Sequence, residues 1–285
     1  MFESLTKYWE NQTERWNNGN KKIHLDDSRL IEESKADKGT DYELHTNLYP
    51  EPYMGNLSHP KIVFLFLNPG YSENDNAVHA DPMMAKAFEN NLNQDFKETD
   101  YPFCWLSFKD PIKEENPGAF YWNRLLNQKN KKNSFLNNLT IARHENEDET
   151  RVWLAQNICD IELFPYHSKK FKDEWARDIT EPKSVKIARK AVIEAIDNYS
   201  DTLFVFMRSF ARWIPEKDRP RMLEKDNVIV NKSVRNPSLN PNIEYDDPKV
   251  KCTGRQILDF INRQRNTQLS ISRKSVKHFV YGLSI

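Results

Sequence analysis

Glycine is scarce in this chain, seven residues in 285, and the few present form no phosphate-binding Gly-rich loop and no Gly-x-Ser-x-Gly elbow. Nucleotide-binding and serine-hydrolase readings of an α/β chain therefore lack support. The three cysteines, Cys104, Cys159 and Cys252, stand far apart. That excludes a Cys-x-x-Cys metal site and a local four-cysteine iron–sulfur cluster, and it fits core thiols in a reducing cytosol. Net charge is also lacking: 42 basic residues balance 42 acidic ones. The global field attracts no polyanion, so any nucleic-acid face must be a local patch. No apolar segment approaches the ~20 residues of a membrane span. The N-terminal stretch is charged and amphipathic, without the apolar core of a signal peptide. The expectation is a cytoplasmic protein with no membrane partner, no metal or cluster and no cofactor.

What is present is one compact signal, Lys61-Ile-Val-Phe-Leu-Phe-Leu-Asn-Pro-Gly-Tyr71. An apolar run rich in β-branched and aromatic residues suits a strand buried on both faces of a parallel sheet. Asn68-Pro69-Gly70 breaks it. Ligands of open α/β sheets bind at the carboxyl ends of strands, which places Asn68 where a substrate would arrive.

Further strands are expected at 157–165, 201–207 and 227–230. Helices are expected at 82–92, 183–199, 209–213 and 253–265, from apolar spacing and start signals. Tyr49-Pro-Glu-Pro-Tyr-Met-Gly-Asn56, with its two prolines, reads as an extended loop. Four strands alternating with helices predict a three-layer α/β/α domain around a four-stranded parallel sheet. Residues 1–50 read as a helical and irregular extension and 51–266 as the α/β domain. Residues 72–156 exceed what a crossover needs and read as an insertion able to wall a pocket. Residues 267–285 read as a basic tail.

Two turns then stand out: Asn68-Pro69-Gly70-Tyr71 after the first strand and Asn236-Pro237-Ser238 after the fourth. On these motifs the chain resembles the uracil-DNA glycosylase superfamily over about residues 50–265. Phe66-Leu67-Asn68-Pro69-Gly70 looks like its first motif, in the Asn-Pro-Gly form of the mismatch-specific thymine/uracil and single-strand-selective branches. Asn236-Pro237-Ser238 looks like its second, with asparagine in place of a leaving-group histidine. The resemblance implies that Asn68 orients the attacking water through its side-chain carbonyl and that Asn236 assists the departing base. Where strict uracil enzymes carry a tyrosine against C5 of the base, Gly70 leaves space, which implies tolerance of a C5 substituent. Tyr71, Phe103 and Trp105 are candidates to stack a flipped base. The family's base-reading asparagine near the end of the second strand is missing; Tyr166 and His167 offer polar groups there. A histidine so placed is more often a local hydrogen-bonding residue than a catalytic one. Ser238, Lys232 and Arg235 are candidate phosphate contacts, with Lys249, Lys251 and Arg255 adding to a basic patch. Leu239 is a candidate wedge. Glu73 and Asp75, just beyond the first turn, read as solvated loop acids or as supplementary carboxylates.

The function implied is a monofunctional DNA glycosylase for a damaged or modified pyrimidine. It would serve base-excision repair or defence against phage DNA with hypermodified bases. The alternative is a non-catalytic nucleic-acid- or protein-binding module on the same fold.

Overall fold

The computed structural model describes residues 1–16, 21–127, 133–177, 181–231, 238–243 and 252–265. Lys232, Arg235, Asn236, Lys249, Lys251 and the expected basic tail lie outside the described residues. A mostly parallel five-stranded sheet flanked by helices forms the centre, an arrangement compatible with three layers. The strands are β1 (Tyr53–Met54), β2 (Ile62–Phe66), β3 (Ile158–Glu162), β4 (Leu203–Phe206) and β5 (Val228–Val230). Their order is β1-β3-β2-β4-β5.

β2 pairs in parallel with β3 on one side, Ile62 opposite Ile158, and with β4 on the other, Ile62 opposite Leu203. An interior strand covered on both faces cannot alternate apolar with polar, and all five β2 residues are buried. Phe64 meets Trp122 edge to face at 5.4 Å.

The sheet departs from the expected four strands at β1. Tyr53 and Met54 pair antiparallel with Ile161 and Asp160 of β3. Pro52 and Gly55 confine the pairing to two residues at the sheet edge, because proline cannot donate to a ladder. Gly55 is needed there: at φ +97° its backbone lies so close to β3 that a Cβ would sit 2.6 Å from Ile158 O.

The helices are α1 (Glu3–Trp9), α2 (Gln12–Trp16), α3 (Arg29–Glu33), α4 (Asp75–Ala80), α5 (Pro82–Asn93), α6 (Pro117–Asn127), α7 (Phe135–Arg143), α8 (Glu147–Asn157), α9 (Lys183–Asn198), α10 (Phe210–Trp213), α11 (Arg219–Leu223) and α12 over 253–265. None is long and apolar enough to cross a membrane. α9 buries Val185, Ala188, Val192, Ala195 and Ile196 along one stripe and packs on α1. Phe2, which precedes α1, and Leu5 and Trp9 within it are therefore core residues, so the N-terminal segment is built into the domain. The long connection between β2 and β3 holds α4 to α8. Its final helix starts with a complete capping box between Asn146 and Glu149.

From β2 the chain moves out to β3, crosses back over β2 to β4, and continues outward to β5. Connections leaving β2 and β4 thus run in opposite directions. The crevice at the carboxyl ends of such a strand pair is the ligand position of doubly wound sheets.

Candidate active site

A cleft of about 560 Å³ opens at that crevice. The turn after β2 supplies one wall: Asn68, Pro69, Gly70, Tyr71 and Ser72 all line it. Asn68 Nδ2 donates to Ser168 O at 3.0 Å and to Ser168 Oγ at 3.2 Å. A main-chain carbonyl only accepts, so the atom facing it must be the amide nitrogen. Ser168 Oγ in turn donates to Lys170 O. Oδ1 of Asn68 has no hydrogen-bond partner among the described residues and is left as an acceptor at the cleft. Gly70 adopts φ +78°, and nothing lies within 4 Å of where its Cβ would be. Left-handed backbone favours glycine here, and the space beside it is open.

Beneath the turn lies a saturated polar cluster. Nδ1 of His167 is 2.9 Å from Gly70 O; Nε2 is 3.0 Å from Tyr49 O and 3.2 Å from Glu51 Oε1. Every neighbour is an acceptor, so both ring nitrogens carry hydrogen and the ring is an imidazolium. Burial opposes that charge, but the bond and charge of Glu51 outweigh it and raise the His167 pKa. Burial likewise opposes ionisation of Glu51, and the two histidines overcome it, holding its carboxyl well below the usual range. His79 is different. Its Nδ1 accepts from Tyr49 N–H at 3.1 Å, its ring stacks on Phe88, and burial drives its pKa down to about 4. It is neutral, with Nε2–H turned towards Glu51 Oε1 at 3.6 Å.

Glu51, His79 and His167 form the one cluster of potential metal ligands among the described residues. The donor set does not fit a cation. A ligating His79 Nε2 would need its proton on Nδ1, against the Tyr49 N–H donor, and a ligating His167 Nε2 would turn a lone pair onto Tyr49 O.

The opposite wall is unsaturated. Asp160 and Glu162, two apart on β3, project to one side of the sheet and line the cleft with Tyr121, Trp105, Trp122 and Arg208. Asp160 Oδ1 accepts from Met54 N at 2.9 Å. Glu162 Oε2 has no hydrogen-bond partner among the described residues, and neither do the Tyr121 hydroxyl and Ser72 Oγ. Burial pushes both carboxyls well above their usual range; Glu51 adds to the effect at both, and Asp160 adds to it at Glu162. Burial thus favours the neutral acid at both positions. Asp75, which accepts from Ser72 N, is raised by burial as well. Arg208 and Lys169 reach the cleft without an ion pair among the described residues, whereas Lys170 pairs with Asp41 at 2.6 Å.

The cleft brings together Asn68, Gly70, Tyr71, Trp105 and His167 from the candidates in the sequence. Tyr71 stacks on His45 with centroids 3.2 Å apart. His167 proves to be a local hydrogen-bonding residue beneath the turn. Others are excluded by burial. Phe103 is fully buried against Trp122, and Gly118 lets the start of α6 close on Trp105 instead. Tyr166 points into the core, where its hydroxyl donates to Asp27 Oδ2 at 2.8 Å and accepts from His24 N. Leu239 is fully buried, with its carbonyl packed on Gly254 of α12, so it is not presented as a wedge. Ser238 is half-buried, its Oγ accepting from Asn240 N, and does not line the cleft. Glu73 is exposed, as a loop acid should be, but Asp75 belongs to the cleft.

Sequence reasoning missed Asp160 and Glu162. The signal was available: acids at alternate positions of a strand otherwise buried on both faces must point into something polar or enclosed. Comparison with protein-family models, curated proteins and solved structures finds no match to the chain, so its function rests on this geometry.

Proposed function

We propose that the chain is a DNA glycosylase that hydrolyses the N-glycosidic bond of a C5-substituted pyrimidine and leaves an abasic site. The observation that carries this reading is the Asn68 amide, clamped through its nitrogen by Ser168, with its oxygen at the cleft uncommitted among the described residues. Such an oxygen can hold a water beneath the anomeric carbon. It cannot take up a proton at neutral pH, so positioning and electrostatics must supply the rate enhancement. The cleft volume of about 560 Å³ suits a flipped base with a substituent. The open space beside Gly70 gives that substituent room, and Arg208 and Lys169 offer phosphate contacts at the cleft. Repair of altered bases and defence against phage DNA carrying hypermodified bases are the two roles this chemistry would serve.

The test is direct. Oligonucleotides carrying uracil, a thymine mismatch, hydroxymethylcytosine or glucosylated cytosine are incubated with the protein and then cleaved with alkali at abasic sites. At least one is expected to be cut, and Asn68→Ala is expected to abolish cutting. Absence of alkali-labile sites in every substrate would overturn the reading. DNA binding without base release, unaffected by Asn68→Ala, would identify a non-catalytic binding module instead.

A further inference from the structure

We infer that Glu162, with the Tyr121 hydroxyl beside the same cleft, is the specificity-determining edge that reads the ligand's heterocycle. It would offer one donor and one acceptor side by side to a ring bearing the complementary pair. The inference deepens the glycosylase reading and rests on it for the identity of the ligand as a base.

The argument begins with unsatisfied atoms. Glu162 is only 8 % exposed, and its Oε2 has no partner among the described residues. The Tyr121 hydroxyl, on α6 across the cleft lining, is equally unpartnered. A buried polar atom left unpaired costs about 1–3 kcal/mol, and native proteins retain few of them, often for function. Both atoms belong to side chains lining one ligand-sized cleft, whose aromatic walls Trp105 and Trp122 suit a flat ring.

The charge state sets what can bind. The groups around Glu162 are Asp160 on its own strand, Glu51 before β1, Asp75 on α4, Tyr121 on α6, Arg208 after β4, and His167, Lys169 and Lys170 after β3. Burial and the neighbouring acids Asp160 and Glu51 favour the protonated carboxyl, with Arg208 opposing them. A neutral carboxyl presents an O–H donor and a carbonyl acceptor, whereas a carboxylate only accepts. The N3/C4 edge of a pyrimidine matches the neutral form: N3–H and O4 in uracil or thymine, N3 and the 4-amino group in cytosine. An edge with two adjacent donors, as on guanine, would require the ionised form.

The test uses the full chain and free bases. Saturation-transfer NMR and calorimetry at pH 6 would compare uracil, cytosine and 2,4-difluorotoluene, a ring of similar shape without the hydrogen-bonding pair. Wild type is expected to bind a pyrimidine at least tenfold tighter than difluorotoluene. Glu162→Gln keeps a donor and an acceptor and should retain binding; Glu162→Leu should lose at least tenfold with its near-UV spectrum unchanged. Raising the pH should weaken binding by wild type and not by Glu162→Gln. Equal binding by Glu162→Leu, equal binding of difluorotoluene, or no binding of either pyrimidine would overturn the inference. The two failures are distinguishable. Base binding with this pattern but no abasic site in any oligonucleotide sinks the glycosylase reading alone. Base release at the wild-type rate by Glu162→Leu sinks the role of Glu162 alone.

Discussion

Two buried polar clusters face one cleft, and they are built on opposite rules. Under the Asn-Pro-Gly turn, every ring nitrogen of His167 has a protein acceptor and Glu51 is bracketed by two imidazoles. Across the cleft, Glu162 and Tyr121 keep oxygens unpartnered among the described residues, and Asp160 accepts one bond from Met54 N. A saturated network holds geometry; an unsaturated one is free to bind. They also respond oppositely to pH. Glu51 and His79 have depressed folded values. Their contribution is present above their ordinary values and fades as pH falls, His79 between 6.5 and about 4. Asp160 and Glu162 have raised values, so their contribution is complete below the ordinary carboxylate range and is lost as pH rises.

Substitutions can break this contrast. The largest expected effect is Glu51→Ala, which strands an imidazolium in the core and should cost about 3–5 kcal/mol in urea unfolding. A loss below about 1 kcal/mol would show that the cluster is not a structural pair. Asn68→Ala comes next: base release should fall about 100-fold or more, while stability drops by only about 1 kcal/mol for the lost hydrogen bonds. Equal losses of stability and rate would make Asn68 part of the scaffold. Gly118→Ala places a Cβ 2.9 Å from the Trp105 ring. Overpacking of about 1–3 kcal/mol and a changed tryptophan emission should follow, since the ring is a cleft wall. Gly70→Ala meets no atom within 4 Å, so only left-handed strain of about 1 kcal/mol is expected, read as a lower melting temperature. The smallest effect in acid belongs to Glu162→Gln. Its melting temperature should match wild type near pH 4 and exceed it increasingly as pH rises, because the unfolded wild type ionises an acid that burial holds back from ionising in the fold. The reverse trend would put Glu162 with the saturated cluster.

The sheet interior was legible in the sequence because burial on both faces leaves a continuous apolar run, as in β2. The apolar stripe of α9 was legible from its 3.6-residue period. β1 was not, since a two-residue strand between Pro52 and Gly55 has no period to detect. Side-chain direction was the harder problem at the cleft. Tyr166 and His167 are neighbours in a loop, yet one enters the core towards Asp27 and the other sits under Gly70. Phe103 and Trp105 divide likewise between core and cleft wall. Outside regular strands nothing in the order of residues says which of two neighbours faces in. Asp160 and Glu162 are the converse case, since strand alternation alone puts both on one side.

The clamp on Asn68 also limits how this chain could evolve. A carboxylate at that position would accept a proton from water and act as a stronger base, and Asn to Asp is a minimal chemical change. Here it would put an acceptor oxygen in place of the amide nitrogen, facing the Ser168 carbonyl 3.0 Å from that nitrogen. Repulsion would expel the side chain from its position unless a donor appeared opposite it. An acid at position 68 would therefore need the main chain at Ser168 to move as well, and the amide is held in place by the residue it leans on.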